Sequence, residues 1–269
     1  ELARKERNYE YRSFIQGLLG KAWISYEVLY LVGLILVVSV MGSASGEVIH
    51  EMFGISNLMG IILMMTLVGV IVFFGTPLIE KLLSFWSIIL YGVFAIMFLV
   101  VYLLYGDAIG SSFNQQPSDI SWTMGGIKYA AYNIGLVPGI LFCVRHINTR
   151  KEAIISGLVA GAIGMIPAVF MFFTMLSQYP NVLNAPVPVN AVLDKIGWDW
   201  FKLIFQIVLF GTFIETGVGV IHGFNERIAS VYTALSNQWR SAIGIILLIV
   251  SIFIANAVGL VGLIAKGYG

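Results

Sequence analysis

Charge is scarce in this chain. Lys, Arg, Asp and Glu make up 11% of its 269 residues, where a soluble domain carries about 25%. With 59% hydrophobic residues and a mean hydropathy of +0.92, the composition excludes an ordinary soluble globule and predicts a polytopic membrane protein. The net charge of +1 argues against a nucleic-acid partner, which needs a strongly basic surface. Cysteine is nearly absent. The single Cys143 lies in an apolar segment and can form no intrachain disulfide, so it does not mark a redox compartment. The opening "ELARKERNYEYR" has no Met and no apolar signal-peptide region, and predicts a piece of a longer protein. A phosphate-binding glycine loop, paired catalytic carboxylates and a Cys/His ligand set are also lacking. The sequence therefore predicts no enzyme, no catalytic residue, no cofactor and no metal site.

What is present is a series of long apolar runs. Seven reach the roughly 17–25 residues that a membrane helix needs: 23–44, 57–75, 82–105, 127–144, 153–177, 201–223 and 241–265. Membrane barrel strands would be about ten residues long with period two, so the expected class is an all-α integral membrane protein forming a single transmembrane domain over 1–269. Eleven of the 15 Lys and Arg residues fall in 1–22, 76–81, 145–151 and 224–240, leaving Lys128, Lys195, Lys202 and Lys266 for the opposite side. The positive-inside rule then puts the N-terminal segment 1–22 and the first residue in the cytoplasm and the last residue outside. The expected outer loops are a short acidic one at 45–57, a polar mobile one at 106–126, and 178–200. In the last, a Pro-rich extended half precedes a short helix, "NAVLDKIG", begun by Asn190 and stopped by Gly197.

Two places could carry chemistry. "YNIGLVPGI" (132–140) puts Asn133, Gly135, Pro138 and Gly139 inside an apolar run. Pro138 removes a backbone donor, the glycines weaken the helix, and irregular backbone survives at membrane depth only beside protein or a watery cavity. Such breaks build transporter sites from freed amides and carbonyls, and Asn133 could add a side-chain amide. A plain proline kink is the alternative. The second is Glu215, flanked by Thr212 and Thr216 in mid-span. A carboxylate there costs at least about 2.5 kcal/mol and commonly marks an ion, proton or substrate path. Without a cation it would hold a proton; beside one it stays charged. The alternative is a neutral structural Glu bonded to Gln206 or a Thr.

Other features read more simply. Glu27 reaches the cytoplasmic interface, and His146 and His222 sit at span ends. "GEVIHE", with Glu47, His50 and Glu51, lacks the HExxH pattern and reads as a solvated acidic loop. "GSASG" (42–46) has Ala44 where a nucleophile elbow needs Ser; it and "GLVAGAIG" (157–164) read as close helix packing.

Four stretches together resemble one family: "MGSASGEVIHEMFGI", "AAYNIGLVPGILF", "LSQYPNVLNAPVPVNAVLDKIG" and "FIETGVGVIHGFNERI". They are similar to the YkvI-type bacterial membrane proteins, amino acid permeases related to the amino acid–polyamine–organocation superfamily. The resemblance implies a leucine-transporter-like fold with two inverted five-helix repeats, in which the seven spans correspond to core helices three to nine. Core helices one, two and ten then have no counterpart here. The broken span 127–144 becomes core helix six, and Glu215 falls on core helix eight. Sodium-coupled members of that fold offer two adjacent hydroxyls there. Glu215 beside Thr216 departs from that pattern and puts simple sodium coupling in doubt.

The implied function is a secondary active transporter, a multi-pass symporter of the bacterial inner (plasma) membrane for a small amino acid or related amine. Tyr132, Asn133, Ile134, Gly135, Pro138 and Gly139 would contact substrate. Glu215, Thr216 and Thr212 would handle a coupling proton or sodium ion. The rivals are a passive channel, disfavoured by the lack of a continuous polar lining, and a non-transporting sensor or assembly subunit.

Overall fold

In the computed structural model, residues 2–5, 11–74, 76–114, 121–134, 144, 147–185, 187–231 and 237–267 are described. Among them are ten α-helices and no strand: α1 Leu2–Lys5, α2 Tyr11–Leu19, α3 Trp23–Phe53, α4 Asn57–Phe74, α5 Thr76–Asn114, α6 Ser121–Ile134, α7 Arg150–Leu176, α8 Pro188–Ile196, α9 Asp199–Val231 and α10 Asn237–Gly267. Short 3-10 turns lie at Gly20–Ala22 and Asn181–Asn184. Five helical stretches are long and apolar enough to cross a membrane: Arg12–Phe53, Phe85–Asn114, Arg150–Leu176, Asp199–Asn225 and Ala242–Gly267. The expected span at 57–75 is the shorter apolar helix α4. That at 127–144 falls partly on α6 and otherwise outside the described residues.

The chain forms two compact units. One takes Glu1–Gly33 with Pro117–Ala168; the other takes Leu34–Gln116 with Val169–Gly267. In the second unit α9 packs against α4, α5 and α10, and α10 also packs on α4. Its core holds Val38 and Val48 of α3, Met64, Met65 and Val68 of α4, Met97 and Val101 of α5, and Phe205 and Ile221 of α9. Stacked rings join Phe94 to Phe205 at 5.5 Å and Phe98 to Phe170 at 5.1 Å between centroids. Large apolar side chains also point outward, Ile88 and Leu103 among them at 74% and 73% exposed, a distribution suited to lipid rather than water.

Small residues set the closest crossings, since helices in lipid approach where side chains are shortest. A Cβ on Gly46 would lie 2.7 Å from the Asn57 carbonyl oxygen, and one on Gly60 would lie 2.9 Å from the Gly46 Cα. The packing role read into "GSASG" is thus seen between α3 and α4. "GLVAGAIG" differs: among the described residues, nothing lies within 4 Å of a Cβ built on Gly157, Gly161 or Gly164. Hydroxyls buried in α3 bond back to their own helix, Ser39 to the Ile35 carbonyl at 2.7 Å and Ser45 to that of Gly42 at 2.6 Å.

Several expected loops are helical. The run 45–53 continues α3, and 76–81 opens α5. Residues 106–114 end α5 beyond a kink at Tyr105, and 121–126 open α6. The short helix expected in 178–200 starts earlier than expected, with Pro188 at its first turn, where a missing N–H costs nothing. Asn190 is therefore inside α8 rather than capping it. Gly197 ends it as expected, in the left-handed conformation at φ 73°.

The expected span at 241–265 is broken at Gly259, whose φ of 72° and ψ of 165° interrupt α10. Ala255, before the break, is near Gly42, while Gly267, after it, lies against Leu36 of α3. That backbone region is essentially restricted to glycine and costs other residues about 1–3 kcal/mol. Gly259→Ala should therefore lower the melting temperature in detergent, although Ala is the better helix former. An unchanged or raised melting temperature would show that α10 is not broken there.

Candidate functional site

The α5–α9 seam carries the polar groups. On α9, Val208, Thr212 and Thr216 recur every four residues and form one stripe; Gly211 and Glu215 form the adjoining one. On α5, Trp86 and Ser87 face them. The Trp86 indole fills the notch at Gly211: a Cβ on Gly211 would collide with indole atoms Cζ2, Cε2 and Cη2. From there Trp86 Nε1 donates to Thr212 Oγ1 at 3.2 Å and to the Val208 carbonyl at 3.3 Å. Thr212 Oγ1 itself donates to the Val208 carbonyl at 2.9 Å, and Thr216 Oγ1 donates to the Thr212 carbonyl at 2.9 Å.

One turn further along, Ser87 Oγ donates to Glu215 Oε1 at 3.3 Å. Glu215 is half-buried, and among the described residues no lysine or arginine pairs with it. The carboxylate thus lies in an apolar span with one neutral donor. Chemically it can take a proton or a cation, and either would relieve the cost of the charge. The hydroxyls of Thr212 and Thr216 give their protons to the helix backbone and keep acceptor lone pairs. The expected alternative partner, Gln206, does not reach Glu215. It is 3% exposed, and its Nε2 has no hydrogen-bond partner among the described residues.

The other predicted group is only partly visible. Tyr132, Asn133 and Ile134 end α6, while Gly135, Pro138 and Gly139 lie outside the described residues, as do Cys143 and His146. The Asn133 amide is exposed, and its Nδ2 donates to the Tyr129 carbonyl of its own helix at 2.8 Å.

A second polar cluster lies where α3, α4, α8 and α9 meet. Asn57 Nδ2 donates to Glu47 Oε1 at 2.8 Å. His50 Nδ1 bonds to the Ile55 carbonyl at 2.8 Å, and Asn190 donates to the Glu51 carboxylate. Lys202 pairs with Asp194 at 2.5 Å, and the Tyr105 hydroxyl donates to the Lys195 carbonyl at 2.9 Å. "GEVIHE" is therefore the last turns of a helix, held by amides, rather than a solvated loop. Among the described residues, no group of three His, Cys, Asp or Glu is arranged to hold a metal.

Sequence reasoning missed Trp86 and Ser87. Their signal is slight, a Trp–Ser pair inside an apolar run, and their partners lie 122 to 128 residues away.

Comparison with known proteins gives one informative likeness. The chain is 22% identical over 267 positions to the Bacillus subtilis (strain 168) "Uncharacterized membrane protein YkvI". The match covers 96% of this chain and 72% of that protein. The chain is similar to a YkvI-like membrane protein. No family model matches it, and no solved structure does. With its apolar helices, the likeness supports a membrane protein, consistent with a multi-pass one, whose described residues are helical and without strands.

Proposed function

We propose that the protein is a secondary active transporter of a small amino acid or related amine. It works by alternating access in the bacterial inner membrane and is coupled to a proton or a cation. The observation that carries this reading is Glu215, a half-buried carboxylate on α9 whose hydrogen bond comes from Ser87 of α5 and which no basic side chain among the described residues balances. An intramembrane carboxylate of this kind is costly unless a proton or cation joins it, and such residues commonly mark an ion or proton path.

In this reading the seven apolar segments act as core helices three to nine of a leucine-transporter-like fold. The first residue is cytoplasmic and the last external, and the protein is not an enzyme. Contacts within each unit support the loop assignment. Arg4 Nη1 donates to the Asn148 carbonyl at 3.2 Å, joining two segments assigned to the cytoplasm. The bond from Asn190 to Glu51 joins two assigned to the outside. Substrate contact is assigned to Tyr132, Asn133, Ile134, Gly135, Pro138 and Gly139, and ion or proton coupling to Glu215, Thr216 and Thr212.

The test is a thermal-shift screen of the full-length protein in detergent against each amino acid and common amines, with and without sodium, at pH 5.5 and 7.5. A ligand at a hundredfold excess over its Kd stabilises by about 2.7 kcal/mol. The expected result is a specific upward shift that Asn133→Ala removes. A folded protein that shifts with none of these compounds would favour a sensor or assembly subunit.

A further inference from the structure

The longest apolar stretch is too long to be one crossing. Arg12–Phe53 holds 42 residues, about 63 Å at 1.5 Å per residue, against a hydrocarbon core of about 30 Å. About half of the excess lies at its start, in the 11 residues before α3. Gly20, at φ +53°, ends α2, a 3-10 turn follows at Gly20–Ala22, and α3 begins at Trp23. The 31 residues of α3 reach about 46 Å alone, so α2 is not needed to span.

The composition of α2 suits a different place. Phe14, Ile15, Leu18 and Leu19 recur at helical spacing on one side, and Arg12, Ser13, Gln16 and Gly17 occupy the other. Ile15 is buried, but Leu18 and Leu19 are 51% and 44% exposed. Ile24 and Val28, in the first turns of α3, are exposed as well. The Arg12 guanidinium sits 4.8 Å over the Trp23 ring. Trp at a span end lies at headgroup depth, and a stacked guanidinium keeps its N–H donors at the edge, where they suit phosphate oxygens. Lys21, in the connecting turn, is exposed. Residues 11–22 contain no Asp or Glu.

We propose that α2 is an interfacial anchor lying flat on an anionic bilayer surface, with Leu18 and Leu19 in the acyl boundary and Arg12 and Lys21 on lipid phosphates. The occupant of its exposed face is lipid rather than protein. The three-residue turn that joins α2 to the start of a membrane helix sets its depth, and its wholly basic charge selects anionic headgroups. This holds whether or not the protein transports.

The test uses the full chain in nanodiscs of pure phosphatidylcholine and of phosphatidylcholine with phosphatidylglycerol. Cys143→Ala or Cys143→Ser, whichever elutes monodisperse, gives a background for single nitroxide labels at Gln16→Cys and Leu18→Cys. The expected result is that oxygen relaxes the Leu18 label and a water-soluble nickel chelate relaxes the Gln16 label. The ratio of surface-bound to detached α2 should be larger with phosphatidylglycerol and fall about fivefold for each of Arg12→Gln and Lys21→Gln. Hydrogen exchange on the unmodified chain should show slower exchange of amides 11–19 in the anionic discs. Equal chelate access at both labels would overturn the proposal, because α2 would then be in water. Low access of both reagents at Leu18 would also overturn it, since protein would then cover the face. Exchange and labelling indifferent to phosphatidylglycerol would remove the anionic headgroup from it.

Discussion

Gly211→Ala is expected to destabilise the protein by about 1–3 kcal/mol, the usual cost of forcing a methyl into a filled core, read as a fall in melting temperature in detergent. The indole of Trp86 occupies the space that the new Cβ would need. Displacing this rigid ring also breaks its bonds to Thr212 and the Val208 carbonyl. The substitution carries an opposing term, because Ala is the better helix former by about 1 kcal/mol, and Gly211 is helical rather than left-handed. The sign should therefore depend on Trp86. In a Trp86→Leu background, itself destabilised by lost burial, adding Gly211→Ala should raise the melting temperature. That reversal is a direct coupling between the two positions. If Gly211→Ala has the same effect in both backgrounds, the ring is not in the notch and the α5–α9 seam is packed differently.

Much of the helical layout was legible in the sequence because apolar length is a local signal. The same holds for Gly197, whose left-handed conformation ends α8, and for Gly46, which meets Gly60 at the α3–α4 crossing. The errors fall where a distant partner decides. Residues 45–53 look like a loop because Glu47, His50 and Glu51 lower the hydropathy. They remain helical, with the Glu47 and Glu51 carboxylates accepting from Asn57 and Asn190 and the His50 imidazole bonded to the Ile55 carbonyl. Asn190 looks like a cap but serves as a side-chain donor. Gly259 stands among other glycines of α10, and nothing local distinguishes a glycine that breaks a helix from one that lets helices approach. In the candidate site Glu215 stood out as a charge in an apolar run. Ser87, its partner, did not, since one serine in a membrane helix ordinarily bonds to its own backbone.

The largest effect on activity is expected at Glu215, and it should separate from stability. In the full-length protein, Glu215→Gln keeps the shape and the Ser87 hydrogen bond but cannot carry a negative charge or exchange a proton. Concentrative uptake into proteoliposomes of an amino acid or amine found by thermal shift should be lost. Exchange of labelled for unlabelled substrate, which needs no net ion movement, should persist. Ser87→Ala removes the hydrogen bond to Glu215, typically worth about 0.5–1.5 kcal/mol, and should shift the half-saturating proton or sodium concentration by up to about tenfold without abolishing uptake. Glu215→Met tests the opposite reading. A buried charge held by a single serine contributes little to folding, and an apolar side chain of similar volume commonly leaves stability unchanged or raises it. Met at 215 should thus give a melting temperature at or above that of the wild type in a protein that accumulates nothing. If Glu215→Met instead unfolds the protein while Glu215→Gln retains full concentrative uptake with the same proton and sodium dependence, Glu215 is a structural, hydrogen-bonded residue. Coupling would then have to lie elsewhere in the chain.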